Sequence, residues 1–261
     1  MNRPSALSSW VVVPAPRPAA RLRLICFPFA GGGASVFFPW ARLVPAEVEL
    51  CAVQLPGREA RLREAPIKDW GELMDRLVTE LARYMDRPYA LFGHSVGATM
   101  AFELARRLRA AGLRAPEHLF ASGRAAPHLP PELPLVHALP EAEFMAELRR
   151  LAGTPEEVLR NEELMSILVP LLRADFTLSE TYPIREEAPL DVPVSAYGGN
   201  GDERVPNEAV GAWRQHTAGA FRQVTFDGGH FFINEKRDEV MAELAGELRG
   251  IVAGLPRPLH G

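Results

Sequence analysis

Tyr89-Ala90-Leu91-Phe92-Gly93-His94-Ser95-Val96-Gly97-Ala98-Thr99-Met100-Ala101-Phe102-Glu103-Leu104 changes pattern at Ser95. Before the serine stands a short apolar run. After it, Val96, Met100, Leu104 and Leu108 recur at helical spacing, with Ala101 and Ala105 beside them. Strand, then Gly93-His94-Ser95-Val96-Gly97, then helix is the context that a G-x-S-x-G nucleophile elbow requires. The two glycines permit a tight turn in which a Cβ would collide with its neighbours. Such a turn holds Ser95 Oγ above the C-terminal edge of a sheet and leaves the Val96 N–H to face a developing oxyanion. The alternative is a serine that merely completes a turn.

Upstream, Leu22 to Phe27 reads as a buried strand ending in Pro28-Phe29-Ala30-Gly31-Gly32-Gly33. Consecutive glycines after a strand let backbone N–H groups approach a bound group, here as the second half of an oxyanion hole, with Ala30 or Phe29 as donor. No Gly-Lys-Ser/Thr follows and G-x-G-x-x-G is unmatched, which argues against a phosphate loop. Ala34 to Leu43 reads as a short helix and Val48 to Leu55 as a strand. The next loop carries Arg58, Arg61 and Arg63, read either as a solvated loop or as a contact for an anionic partner. Asp69 caps an amphipathic helix running to Tyr84.

Downstream, Glu117 to Ser122 reads as a strand with no acid after it. From Pro127 to about Ala188 a proline-rich lead (Pro127, Pro130, Pro131, Pro134) opens into helices at Glu141 to Leu151, Pro155 to Arg160 and Glu162 to Thr181. This is too long for one crossover and reads as a helical lid over the sheet. Val192 to Tyr197 and Phe221 to Phe226 are strands, Asn207 to His216 a helix, and Glu235 to Val252 the closing helix. Residues 1 to about 20 read mostly as loop, with a possible edge strand at Trp10-Val11-Val12-Val13, and Leu255 to Gly261 as a frayed tail.

With 261 residues, 47% of them hydrophobic, the chain can bury a large core. Alternating strands and helices imply a mostly parallel sheet covered on both faces, a single domain over residues 1–261 with the lid at about 127–188. A net charge of -4 gives no footprint for nucleic acid. No apolar run reaches membrane-span length, and the N-terminus lacks a secretion pattern, so a cytoplasmic enzyme is expected. The two cysteines, Cys26 and Cys51, sit in strand-like runs and suggest neither a disulfide framework nor a metal site.

Ser95, Asp202 and His230 each follow a strand, on the edge where ligands bind in such sheets. Their order is that of an α/β-hydrolase. Serine needs a base to take its proton; His230 can supply one, and Asp202 can hold the imidazole tautomer. Glu203 is the substitute for Asp202. Asp191 precedes its strand, and Asp227 is too close to His230 in sequence. His118, His128, His137, His216 and His260 are poorly placed for a base. Candidate substrate contacts are Phe29, His94 and Phe231, His94 packing beside the site.

The chain resembles the discrete type II thioesterases of polyketide and nonribosomal peptide assembly lines. The marks are Pro28-Phe29-Ala30-Gly31-Gly32, Gln54-Leu55-Pro56-Gly57-Arg58-Glu59, Gly93-His94-Ser95-Val96-Gly97, Ser122-Gly123-Arg124 and Gly228-Gly229-His230-Phe231-Phe232. Family members often carry Met at Val96 and His or Tyr at Phe29. The resemblance implies hydrolysis of acyl thioesters, aberrant or stalled, on the phosphopantetheine arm of acyl or peptidyl carrier proteins, with no cofactor. A monomer is expected. Because carriers are usually acidic, some of Arg58, Arg61, Arg63 and Arg124 are expected to help one dock. The rival functions are a general esterase, a chain-releasing thioesterase, a malonyl-type acyltransferase, against which the glycine loop and the Asp202–His230 pair argue, and a non-catalytic binding protein.

Overall fold

The computed structural model describes residues 10–131, 135–151, 153 and 156–256. The readings made at Pro134, Pro155 and His260, and those for residues 1–9 and 257–261, fall outside the described residues. Among the described residues there are seven strands: β1 (Val11–Val12), β2 (Leu22–Phe27), β3 (Val48–Val53), β4 (Tyr89–His94), β5 (His118–Ser122), β6 (Val194–Gly199) and β7 (Phe221–Phe226). They form one sheet in the order β1-β3-β2-β4-β5-β6-β7. The edge strand β1 pairs antiparallel with β3 and every other pairing is parallel. Every residue of β2, β3, β4 and β6 is buried. Strands covered on both faces have no wet side, so their sequences read as continuous apolar runs.

The helices are α1 (Trp70–Leu81), α2 (Val96–Ala110), α3 (Glu141–Leu151), α4 (Glu156–Leu159), α5 (Glu162–Glu180), α6 (Asn207–Gly211), α7 (Phe232–Glu235) and α8 (Arg237–Gly254). Alternate strand residues point to opposite faces, and two cores result. Ile25, Phe27, Cys51, Val53 and Leu91 pack with α1 and α2. Leu24, Cys26, Leu50, Ala52 and Phe92 pack with α8 and the 3-10 segment Ala34–Arg42. Cys26 and Cys51 are therefore free thiols on opposite faces of the sheet. Burial pushes the Cys51 thiol up to about 12.

A third, smaller core lies in the insertion between β5 and β6: Val136, Phe144, Leu148, Leu159, Met165, Leu172 and Phe176. Glu180 ties this insertion together by accepting from the N–H groups of Val136 (2.8 Å) and His137 (2.9 Å). At the other side of α5, Trp70 Nε1 donates to the Leu178 carbonyl at 2.9 Å.

Local differences from the sequence reading have local causes. Asp69 does cap α1, accepting from Glu72 N–H at 2.8 Å. Ala34–Arg42 is 3-10 rather than α; Pro39 within it has no N–H to give. Asn207 to His216 divides into α6 and a 3-10 turn, Ala212–His216. The closing helix runs from Arg237 to Gly254, and a separate short helix, Phe232–Glu235, precedes it across Lys236. Leu255, assigned to a frayed tail, is buried in the second core.

Candidate active site

Ser95 sits between β4 and α2 at φ 55°, ψ -125°, a left-handed conformation that a serine rarely holds. Its surroundings enforce it. A Cβ on Gly93 would lie 2.1 Å from the Gly97 carbonyl oxygen, and one on Gly97 would lie 2.3 Å from that of Phe27. Only glycine lets the turn close at both places. The Ser95 N–H donates to the Ser122 carbonyl at 2.8 Å, fixing the elbow to the end of β5. Val96 opens α2, so its N–H belongs to the first turn, whose donors have no partner within the helix.

The loop after β2 is held at three successive points. Gly32 N–H donates to the Phe29 carbonyl (2.9 Å), Gly31 N–H to Asp175 Oδ2 (2.7 Å), and Arg58 Nη1 donates to the Gly32 carbonyl (3.1 Å). Arg58 also clasps Asp175 with both terminal nitrogens, at 2.8 and 2.9 Å. Both side chains are almost fully buried.

Asp202 lies in the turn after β6 with 1% of its side chain exposed. Its Oδ1 accepts from the N–H groups of Arg204 (3.0 Å) and Val205 (3.2 Å). Its Oδ2 accepts from His230 Nδ1 at 2.7 Å. The ring's other nitrogen, Nε2, is left for a reacting group. His230 pairs with Asp202, and not with Glu203, Asp191 or Asp227. Ser95, Ala30, Phe29, His230 and Phe231 line one cavity of about 590 Å³ together with Leu148 of α3 and Leu172 and Phe176 of α5. Phe29 and Phe231 meet edge to face, their ring centres 5.1 Å apart. The cavity thus gathers the nucleophile and base candidates, Ala30 of the oxyanion-hole pair and two of the three expected contacts. Ser95 and His230 share its wall without a hydrogen bond between them, and such bonds are often long in empty sites.

His94 needs correction. It is fully buried and outside the cavity wall, so it is no substrate contact. Its Nε2 bonds the His230 carbonyl at 2.9 Å and its Nδ1 bonds Ser122 Oγ at 2.9 Å. A carbonyl can only accept, so Nε2 carries the proton and the Ser122 hydroxyl donates to Nδ1. Burial above all, with the nearby His230, lowers the His94 pKa well below the usual histidine value and keeps the ring neutral.

The arginines need correction too. Arg58 is consumed by Asp175, and Arg61 is buried against Trp10 (4.4 Å to the ring centre) with a bond to the Gln54 carbonyl. Neither is available to a partner. Arg124 lines the cavity and donates to Ser179 Oγ at 2.8 Å; burial brings it down to about 10. Arg63 alone of the loop trio is exposed. From the sequence, Ser122 is marked only as part of the Ser122-Gly123-Arg124 strand end, and Asp175 is not marked at all. Asp175 had a signal: it interrupts the apolar face made by Leu171, Leu172, Phe176 and Leu178, and a carboxylate on such a face requires a partner.

A parallel sheet with a strained serine between strand and helix, and a His–carboxylate pair beyond later strands, defines an α/β-hydrolase. The family model for the thioesterase domain matches residues 22–248, and the chain belongs to that family. It is 41% identical to the gramicidin S biosynthesis protein GrsT of Aneurinibacillus migulanus, over 95% of this chain and 97% of that protein. It is 39% identical to thioesterase PikA5 of Streptomyces venezuelae, over 95% and 89%. Among solved structures, the type II thioesterase BorB from the borrelidin biosynthetic cluster superposes with a TM-score of 0.84 at 40% identity, covering 94% of this chain and all of that one. Its homologues thus include a type II thioesterase of a biosynthetic cluster, and the chain is a serine hydrolase of thioesters.

Proposed function

We propose that this thioesterase clears aberrant or stalled acyl groups from the phosphopantetheine arm of acyl or peptidyl carrier proteins, with Ser95, His230 and Asp202 as its triad. Ser95 Oγ attacks the thioester carbonyl as His230 Nε2 takes its proton. The N–H groups of Val96 and Ala30 receive the oxyanion. The intermediate collapses, the C–S bond breaks, and His230 returns the proton to the departing thiolate. Water then attacks the acyl-serine, giving its proton to His230, which passes it to Ser95 Oγ as the acid leaves. Asp202 accepts from Nδ1 throughout and stabilises the imidazolium. Phe29 and Phe231 form the wall beside the thioester.

The observation that carries this reading is the 2.7 Å contact of His230 Nδ1 with a buried Asp202, on a ring that shares the cavity wall with Ser95. The chain works in this reading as one domain, a cytoplasmic monomer, with residues 127–188 as a lid over the cavity. The test compares short acyl groups on a carrier protein, on free pantetheine and on a simple oxygen ester, with Ser95→Ala alongside. Fastest turnover from the carrier, abolished in Ser95→Ala, is expected. Preference for the oxygen ester with no gain from the carrier would make the protein a general esterase instead.

A further inference from the structure

One face of α5 presses on the loop that follows β2. Leu172 and Asp175, three residues apart, share that face. A Cβ on Gly31 would lie 2.8 Å from Leu172 Cδ2, so the helix touches the loop directly. Asp175 Oδ2 takes the Gly31 N–H, and Arg58 joins Asp175 to the Gly32 carbonyl.

We infer that Asp175 of the lid helix, held by Arg58, is a positioning residue for the oxyanion hole, so that the hole is complete only while α5 is seated. The inference rests on the reading of Ala30 N–H as an oxyanion donor. The Phe29 carbonyl and Ala30 N–H lie on opposite edges of one planar peptide. With the carbonyl turned to Gly32 N–H at 2.9 Å, the Ala30 N–H must point the other way. The next peptide plane is fixed by Asp175 through Gly31 N–H, and the Gly32 carbonyl by Arg58. Gly31 stands at φ +77°, a conformation that glycine adopts freely but does not hold unaided. The restraint comes from a helix more than a hundred residues away in sequence.

A buried ion pair is a poor guide to stability, since apolar groups of similar size often replace it without loss. That separates folding from positioning. The double variant Arg58→Met/Asp175→Leu removes both charges together and leaves Gly31 N–H and the Gly32 carbonyl without their partners. The expected result is a protein that still folds, at a Tm lowered by those two unpaired groups, with a kcat lower by roughly 10- to 100-fold and KM within about twofold of the parent. Affinity for an acyl trifluoromethyl ketone, whose adduct with Ser95 carries the oxyanion, falls by the same factor as kcat. A folded double variant with parental kcat overturns the inference. Should the double variant fail to fold, the smaller pair Arg58→Leu/Asp175→Ala, which likewise offers Gly31 N–H no acceptor, is read by the same kcat and ketone measurements, and parental values there overturn the inference equally. Ser95→Ala run in parallel keeps the two readings apart. Turnover surviving in Ser95→Ala defeats the proposed triad, whereas a dead Ser95→Ala beside a fully active double variant defeats only the role of Asp175.

Discussion

Replacing Asp202 by asparagine changes one atom, and the structure dictates which way the new amide faces. Oδ1 of Asp202 accepts two backbone N–H groups, from Arg204 and Val205. An NH2 group cannot accept, so the amide oxygen keeps that place and the nitrogen turns to His230. There it donates to Nδ1, which moves the ring's single proton to Nε2, the atom that must take the proton of Ser95. A serine hydrolase in this wrong tautomer loses about 10⁴ in kcat, or about 5 kcal/mol at 1.36 kcal/mol per decade. KM is expected to hold, because Asp202 is not part of the cavity wall. The fold exchanges one charge-assisted hydrogen bond for a neutral one, a net loss of about 1 kcal/mol, and keeps the two that shape the turn. The assay is thiol release from an acyl pantetheine, with ¹⁵N NMR of the imidazole to report the tautomer. A folded Asp202→Asn protein with kcat within tenfold of the parent would refute the assignment, and so would a His230 still protonated at Nδ1.

Other outcomes follow from neighbouring contacts. Ser122→Ala leaves the buried His94 Nδ1 unpaired, which costs about 1–3 kcal/mol, and leaves the ring held through Nε2 at the His230 carbonyl alone. A fall in Tm together with a kcat loss of roughly tenfold is expected, and an unchanged kcat would show that the His94 contact does not set the base. Arg61→Ala should lower Tm through the lost Trp10 and Gln54 contacts while leaving KM for a carrier-bound substrate unchanged; a raised KM would return Arg61 to the docking surface. Acid should destabilise the fold. Burial holds His118 near 4, and burial with His128 and Arg106 nearby holds His216 near 4, against about 6.5 in the unfolded chain. Between those values the unfolded chain binds protons that the native state refuses, so stability falls as pH drops from about 6.5 towards 4. A urea midpoint constant between pH 7 and pH 5 would contradict this.

The strands and the serine elbow were legible because each obeys a local rule. A parallel strand buried on both faces must be apolar throughout, and the period changes where β4 gives way to α2. The Asp202–His230 pair followed from placing residues at strand ends, since parallel strands bring all those ends to one edge. What stayed hidden depends on partners distant in sequence. A loop arginine reads as solvated unless its counter-ion is known, and that of Arg58 lies 117 residues on, in α5. His94 looked like a pocket residue because it adjoins Ser95. Alternation along β4 turns it to the other side, into contact with Ser122 and the His230 backbone. The boundary between α7 and α8 at Lys236 has no proline to announce it.

The three cores have no buried residue in common. Substitutions at well-separated sites without shared partners add nearly independently in stability. Val136, Phe144, Leu148, Leu159 and Met165 can thus drift in size and shape while the sheet that carries Ser95, Asp202 and His230 stays as it is. Val136 and Leu148 of that set also line the cavity, so drift there alters its room. The architecture lets the size of the cavity and the frame of the sheet change separately within one chain, and the stretch around Asp175, where α5 bonds the loop after β2, is where the two must change together.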